Sequence, residues 1–255
     1  MRIPWATSLL TASVLAVYAY SSSGLLYPDS SVVSQNAFGS ANPLALLFSL
    51  FFHIGAHHLV GNLVPLIAFA LLLELTLSGR DVIVVFLASG LVAALVFLVL
   101  NPSSFLAGAS GGISGLMTAA ALSRPKFGLV LLLGVPVFMG VVAFPALIFA
   151  EAASFSGLNE HVATLELQAA DLEASGRHAE AAALRAQAEA ANVTLSQQEA
   201  AQAAEERAVP DFFVHVAGAL VGVLYVVGFF GERVREGFEE LALVFDAVRV
   251  RLQDR

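Results

Sequence analysis

Six stretches of this chain are apolar over roughly the length of a membrane crossing, and no other sequence feature restricts its folding as tightly. A spanning helix needs about 20 mostly apolar residues. The stretches are residues 3–20, 44–77, 82–100, 110–122, 127–149 and 212–230. The second has polar interruptions near its start, and the fourth is short. In lipid every backbone amide must be paired inside the protein, which leaves helices as the economical solution. The expected fold is therefore all-α, a polytopic bundle of six transmembrane helices. Composition agrees. Of 255 residues 58% are apolar and only 13% charged, about half the charged share of soluble domains. The mean hydropathy is +0.82.

The short loops set an expected orientation. Cytoplasmic loops near membrane spans carry excess Lys and Arg. Arg2 precedes the first stretch, Arg80 follows the second, Arg124 and Lys126 follow the fourth, and Arg233 and Arg235 follow the sixth. Segments 21–43 and 101–108 contain neither Lys nor Arg. One topology satisfies all of these, with both termini cytoplasmic in a cell membrane. Trp5 at one end of the first stretch, with Tyr18, Tyr20 and Tyr27 near the other, fits interfacial aromatic belts. Arg2, the apolar run and the small residues up to Ala19 also have the make-up of a secretory signal peptide. Cleavage there would leave the remaining topology unchanged.

Segment 151–210 is a different material, rich in Ala, Glu and Gln. Eleven acidic residues and three arginines between Glu151 and Asp211 account for the whole net charge of −8. The helix-favouring composition predicts two or three short helices outside the membrane. Ser175-Gly176-Arg177 reads as a break, and Ser196-Gln197-Gln198-Glu199 as a capping box opening another helix. Asn192-Val193-Thr194 is a glycosylation sequon by pattern. Beyond the sixth stretch, Val234, Phe238, Leu241, Phe245, Val248 and Leu252 recur at helical spacing, predicting an amphipathic tail helix over 232–255 at the cytoplasmic face. The expected units are thus 1–150 with five spans, 151–210 as an extracytoplasmic insertion, 211–231 as the sixth span, and the tail. No basic patch suggests nucleic acid. With no cysteine there is no disulfide, thiol nucleophile or thiolate metal site.

Polar side chains inside apolar spans are costly and mark candidate sites. Three groups stand out: His53, His57, His58 and Asn62 in the second stretch; Gly108-Ala109-Ser110-Gly111-Gly112 at the start of the fourth; and His215 in the sixth. A helix over 110–122 is about 20 Å long, against a hydrocarbon core of about 30 Å. Ser110 would then sit below the outer surface at a helix N-terminus, where negative charge developing on oxygen is favoured. A serine hydroxyl needs an adjacent base, and His215 lies about one turn into its span. Gly111 and Gly115 stand one turn apart, as do Gly218 and Gly222, and small residues at that spacing let membrane helices approach closely. His58 and Asn62 share a helix face and carry N–H donors for an oxyanion. Asp211, four residues before His215, could orient that imidazole or cap the sixth helix. His53 and His57 are four apart, as metal ligands on a helix would be, but Ile54 stands where a zinc protease motif carries Glu.

These residues resemble the rhomboid family of intramembrane proteases. His53, His58 and Asn62 match its His-x4-His-x3-Asn pattern, Gly108-Ala109-Ser110-Gly111 its Gly-x-Ser-Gly pattern, and His215, Gly218 and Gly222 its His-x2-Gly-x3-Gly pattern. Motif order and span assignment agree over residues 1–232 apart from the insertion. The resemblance implies a six-helix rhomboid-like bundle with an extramembrane helical insertion between spans five and six. It also implies a serine endopeptidase acting on transmembrane protein substrates within the lipid bilayer, without metal or other cofactor. It implies a Ser110–His215 dyad, an oxyanion hole from the Ser110 N–H, His58 and Asn62, and a supporting role for His53 and for Gly108, Gly111, Gly218 and Gly222. Ser114 also fits the Gly-x-Ser-Gly pattern, one turn deeper. An inactive relative that binds transmembrane helices without cutting them is the alternative. Three features depart from the family: Ser114 stands where an aromatic is frequent, the first outer loop lacks a Trp-Arg pair, and the insertion is far longer than the usual cap loop.

Overall fold

The computed structural model describes residues 3–22, 27–40, 42–207 and 212–253. Nearly all of it is helix. Helix α1 (Trp5–Ser22) is followed by a short α2 (Ser30–Asn36), two 3-10 turns (Pro43–Leu46 and Phe48–Phe51), α3 (Ala56–Thr76) and α4 (Gly79–Leu100). Then come α5 (Ser110–Ser123), α6 (Pro125–Phe138), a π-turn (Met139–Ala143), α7 (Phe144–Ala174), α8 (His178–Arg207) and α9 (Phe212–Gln253). Two-residue strands β1 (Phe38–Gly39) and β2 (Phe105–Leu106) pair antiparallel, Phe38 opposite Leu106. They pin the loop before α3 to the loop before α5.

Among the described residues four helical stretches are long and apolar enough to cross a membrane: α3, α4, the continuous run Pro125–Ala174 and Phe212–Ala247. The chain is a membrane protein with apolar helices. Helix α1 has 18 residues and α5 only 14, and neither is among the four. Both nonetheless pack into the common core, α5 at its centre. Ala109, Ile113, Leu116, Ala119 and Ala120 meet Leu66, Phe69 and Leu73 of α3, Val82, Val85 and Phe86 of α4, and Val226 of α9. The small residues of α5 let four neighbours close around it.

Polar clasps fix the helix ends. Glu74, buried near the end of α3, accepts from the Ala6 N–H (3.0 Å), the Thr7 N–H (2.8 Å) and the Thr7 hydroxyl (2.7 Å). First-turn amides have no partner within their own helix, so α3 supplies the cap for α1. Ser78 caps α4, and the Tyr225 hydroxyl of α9 donates to Asp81 Oδ1 at 2.7 Å.

The fifth stretch and the insertion differ from the expected division. No break occurs near residue 150. Helices α6 and α7 form one 50-residue helical run, about 75 Å long, in which the span continues directly into the acidic segment. Loss of hydrophobicity does not end a helix; only a competing backbone signal does. Pro145 removes an amide and crowds the carbonyl four residues earlier, and the chain absorbs this with the π-turn at Met139–Ala143.

The acidic segment forms a hairpin of two helices, within the expected number, but they are long, 31 and 30 residues, rather than short. Its break is where expected. Gly176 has φ +77°, and the N–H groups of Gly176 and Arg177 donate to Glu173 and Leu172 carbonyls, the Schellman pattern for a helix end. Leu158, Val162, Leu165, Ala169 and Leu172 repeat at alternating spacings of four and three, and Ala181, Leu184, Ala188, Ala191 and Leu195 do the same on α8. These are the less exposed positions of both helices, the pattern of a coiled-coil seam. Arg185 pairs with Glu173 across it. No helix begins at Ser196. Its hydroxyl donates to the Asn192 carbonyl inside an unbroken α8.

The tail follows the sixth span within α9, but Phe230 (φ −135°, ψ 31°) breaks the helical path, close to the expected boundary. Beyond it Val234 and Gly237 face the protein. A Cβ on Gly237 would lie 2.6 Å from Pro125 Cδ. The expected stripe is therefore only partly inward, since Phe238 and Phe245 remain exposed.

Candidate functional site

Ser110 opens α5, and the residues before it explain how it is held. Gly108 has φ +134°, which side-chain-bearing residues rarely adopt, and its N–H donates to the Ser49 carbonyl at 2.9 Å. A Cβ there would lie 2.8 Å from His58 Cε1 and 2.9 Å from Nε2. Glycine is thus required twice, for the turn and for letting the backbone lie against the His58 ring. Ala109 then enters the helix at φ −81° and ψ −5°, and the first-turn amides of α5, which begins at Ser110, have no partner within their own helix.

His53, fully buried, approaches the Phe51 carbonyl through Nδ1 at 3.2 Å, and its ring stands edge-on to His58 with centroids 5.0 Å apart. His58 is half-buried and within electrostatic reach of His215. Asn62 is buried, and its Nδ2 donates to the His58 carbonyl one turn back at 2.8 Å. At least one of its two amide hydrogens is therefore used inside α3.

The glycines bring α5 and α9 together backbone to backbone. A Cβ on Gly218 would overlap the Gly111 carbonyl, and one on Gly222 would overlap the Gly115 carbonyl and the Thr118 hydroxyl. On the other flank a Cβ on Gly111 would meet Ala93 Cβ at 2.5 Å, and Ser89 fills the space beside Gly115. The Thr118 hydroxyl donates to the Ala219 carbonyl at 2.9 Å, tying the two helices deeper in. Ser110 and His215 lie at the same end of this crossing, one residue before Gly111 and one turn before Gly218.

Ser114 is one turn below Ser110, and its hydroxyl donates to the Ser110 carbonyl at 2.9 Å. It lines a cleft of about 290 Å³ together with His215. Asp211 lies outside the described residues. His57 meets a different helix. Its Nδ1 lies 3.2 Å from Oε1 of Glu151, a buried carboxylate on α7. Sequence reasoning placed no acid near these histidines; Glu151 is 94 positions from His57, and only the fold joins them. Among the described residues no three His, Asp or Glu side chains converge in a way that could hold a metal ion.

A family model described as the rhomboid domain matches residues 41–162. The matched stretch includes His53, His58, Asn62 and Ser110 and stops before His215. No curated protein and no solved structure matches the chain.

Proposed function

We propose that this protein, which belongs to the rhomboid family, is a serine endopeptidase that hydrolyses peptide bonds in or near transmembrane segments of other membrane proteins. The observation that carries the reading is the α5–α9 crossing. It sets a serine at a helix N-terminus and an imidazole on the neighbouring helix at one end of a backbone-to-backbone contact, with His58 against the loop that leads into the serine.

In this reading Ser110 Oγ attacks the scissile carbonyl and its proton passes to His215. Negative charge on the carbonyl oxygen is met by the Ser110 N–H, His58 and the remaining amide hydrogen of Asn62. His215 then protonates the leaving amine as the C–N bond breaks. Water adds to the acyl-serine, gives its proton to His215, and the hydroxyl of Ser110 is restored. Ser114 is the weaker candidate because its hydroxyl is engaged by the carbonyl one turn back, although it shares a cleft with His215. The end carrying Arg80, Arg124 and Lys126 faces the cytoplasm; the site opens on the opposite side, both termini are cytoplasmic, and α1 and α5 complete six membrane-embedded helices. The α7–α8 hairpin stands outside the membrane on the site's side.

The alternative is a rhomboid-like protein that binds transmembrane helices without cutting. The inward hydrogen bond of Asn62 favours it, because one of the two amide hydrogens is thereby withdrawn from the oxyanion. A fluorophosphonate probe with peptide mapping separates the two. Labelling at Ser110 is expected, and an intact protein that stays unlabelled contradicts the proposal.

A further inference from the structure

The first turn of α3 carries His57 and His58 side by side, and its start is lightly held. Gly55, its N-cap, makes no side-chain hydrogen bond to the turn. The rotation of this turn is therefore set by what its side chains meet. His57 and Gly61, one turn apart, face Phe144 and Glu151, two turns apart on α7. The Phe144 and His57 rings have centroids 5.8 Å apart, and a Cβ on Gly61 would lie 3.9 Å from Phe144 Cζ. Further along α7, Glu151 Oε1 stands 3.2 Å from His57 Nδ1. The contact is an ion pair when the imidazole carries its proton, without the alignment of a hydrogen bond.

Glu151 is 4% exposed. A carboxylate taken out of water is costly without a charge partner, and the His57 imidazole is the group beside it. The helix that carries Glu151 continues a membrane span without a break, so His57 is held against a wall rather than a loop. The next residue is His58. Consecutive positions lie about 100° apart around a helix, so pinning His57 to α7 fixes the direction in which His58 leaves α3. That direction is toward Gly108, where a Cβ would lie 2.8 Å from His58 Cε1.

We infer that Glu151 is a positioning residue for the oxyanion donor His58, acting through His57. The inference rests on the Ser110–His215 reading. Glu151 touches neither the substrate nor the reacting atoms. Its pull on His57 holds the first turn of α3 in the one rotation that aims His58 at the loop before Ser110. Oxyanion donors act chiefly in the transition state, so losing the pair should lower kcat and leave KM nearly alone.

The test uses the full chain in liposomes with a single-pass transmembrane peptide. Glu151→Ala and His57→Ala should each lower kcat about 10–100-fold, the range for a misplaced donor, with KM unchanged. Glu151→Gln, which keeps the shape without the charge, should fall between Glu151→Ala and the unsubstituted enzyme. The double variant should lose no more than either single one, because both remove the same contact. Glu160→Ala, at an exposed position on the same helix, should leave kcat as it was. If Glu151→Ala does not accumulate as folded protein, Glu151→Gln and His57→Ala decide. An unchanged kcat, with or without a lower unfolding midpoint, overturns the inference, as do a loss confined to KM and losses that multiply in the double variant. Fluorophosphonate labelling of the unsubstituted enzyme at Ser110 keeps the two readings apart. A labelled enzyme indifferent to Glu151 refutes the positioning role only, whereas an unlabelled, inactive one refutes the dyad and the positioning role with it.

Discussion

Gly218 has no room for a side chain because the carbonyl oxygen of Gly111 occupies the place its Cβ would take. Gly218→Ala should force α5 and α9 apart, at a cost of about 1–3 kcal/mol for overpacking, and should slow fluorophosphonate labelling more than tenfold. Gly228, on the same helix with nothing within 4 Å, is the control. Gly228→Ala should be neutral or slightly stabilising, by up to about 1 kcal/mol. Thermal unfolding in micelles and labelling rates check both; equal effects at the two positions would deny the crossing its role.

Gly108 couples loop geometry to His58. Gly108→Ala places a methyl group against the imidazole and strains a backbone at φ +134°, costing about 1–3 kcal/mol. Turnover should fall with kcat affected more than KM, since the oxyanion donors act chiefly in the transition state. Gly176→Ala, with positive φ but open surroundings, should cost stability in the hairpin while leaving kcat unchanged.

Glu74 carries three hydrogen bonds to the start of α1. Glu74→Ala leaves two amides of the first turn without their acceptor and should destabilise the protein by about 3 kcal/mol, since bonds to charged groups contribute about 1.5–3 kcal/mol each. Glu74→Gln keeps one acceptor oxygen and should cost less. Unfolding midpoints of the two variants check the order; a Gln variant as unstable as Ala would contradict the capping account.

Leu165 lies buried in the α7–α8 seam. Leu165→Ala should loosen the hairpin by about 2–5 kcal/mol, read as faster proteolysis near the Ser175–Arg177 turn, while Ser110 labelling proceeds at the same rate. A parallel loss of labelling would show that the hairpin supports the site.

Much of this arrangement was legible in the sequence because its signals are local. Apolar runs located α3, α4 and the first part of α9; the i, i+4 glycines foretold the α5–α9 contact; and Ser175-Gly176-Arg177 marked the hairpin turn. What escaped depends on the absence of a local signal or on distant partners. The run from Pro125 to Ala174 was divided where its hydrophobicity ends, yet its backbone hydrogen bonds continue regardless of side-chain polarity. Ser196 has the spacing of a helix start, but with no preceding break its hydroxyl turned back to Asn192. Glu151 meeting His57 and Glu74 capping α1 join residues 94 and 67–68 positions apart, and no periodicity encodes such pairs. Asn62 shows a finer limit: helical spacing put it on the face of His58 but not where its amide would donate.

The central claim is that Ser110, rather than Ser114, is the nucleophile served by His215. The direct measurement is cleavage of a single-pass membrane substrate in liposomes by the Ser110→Ala and Ser114→Ala proteins, each first checked for an unchanged unfolding midpoint. Loss of cleavage to background in Ser110→Ala with substantial cleavage retained in Ser114→Ala is the expected result. Full cleavage by the Ser110→Ala protein would contradict it.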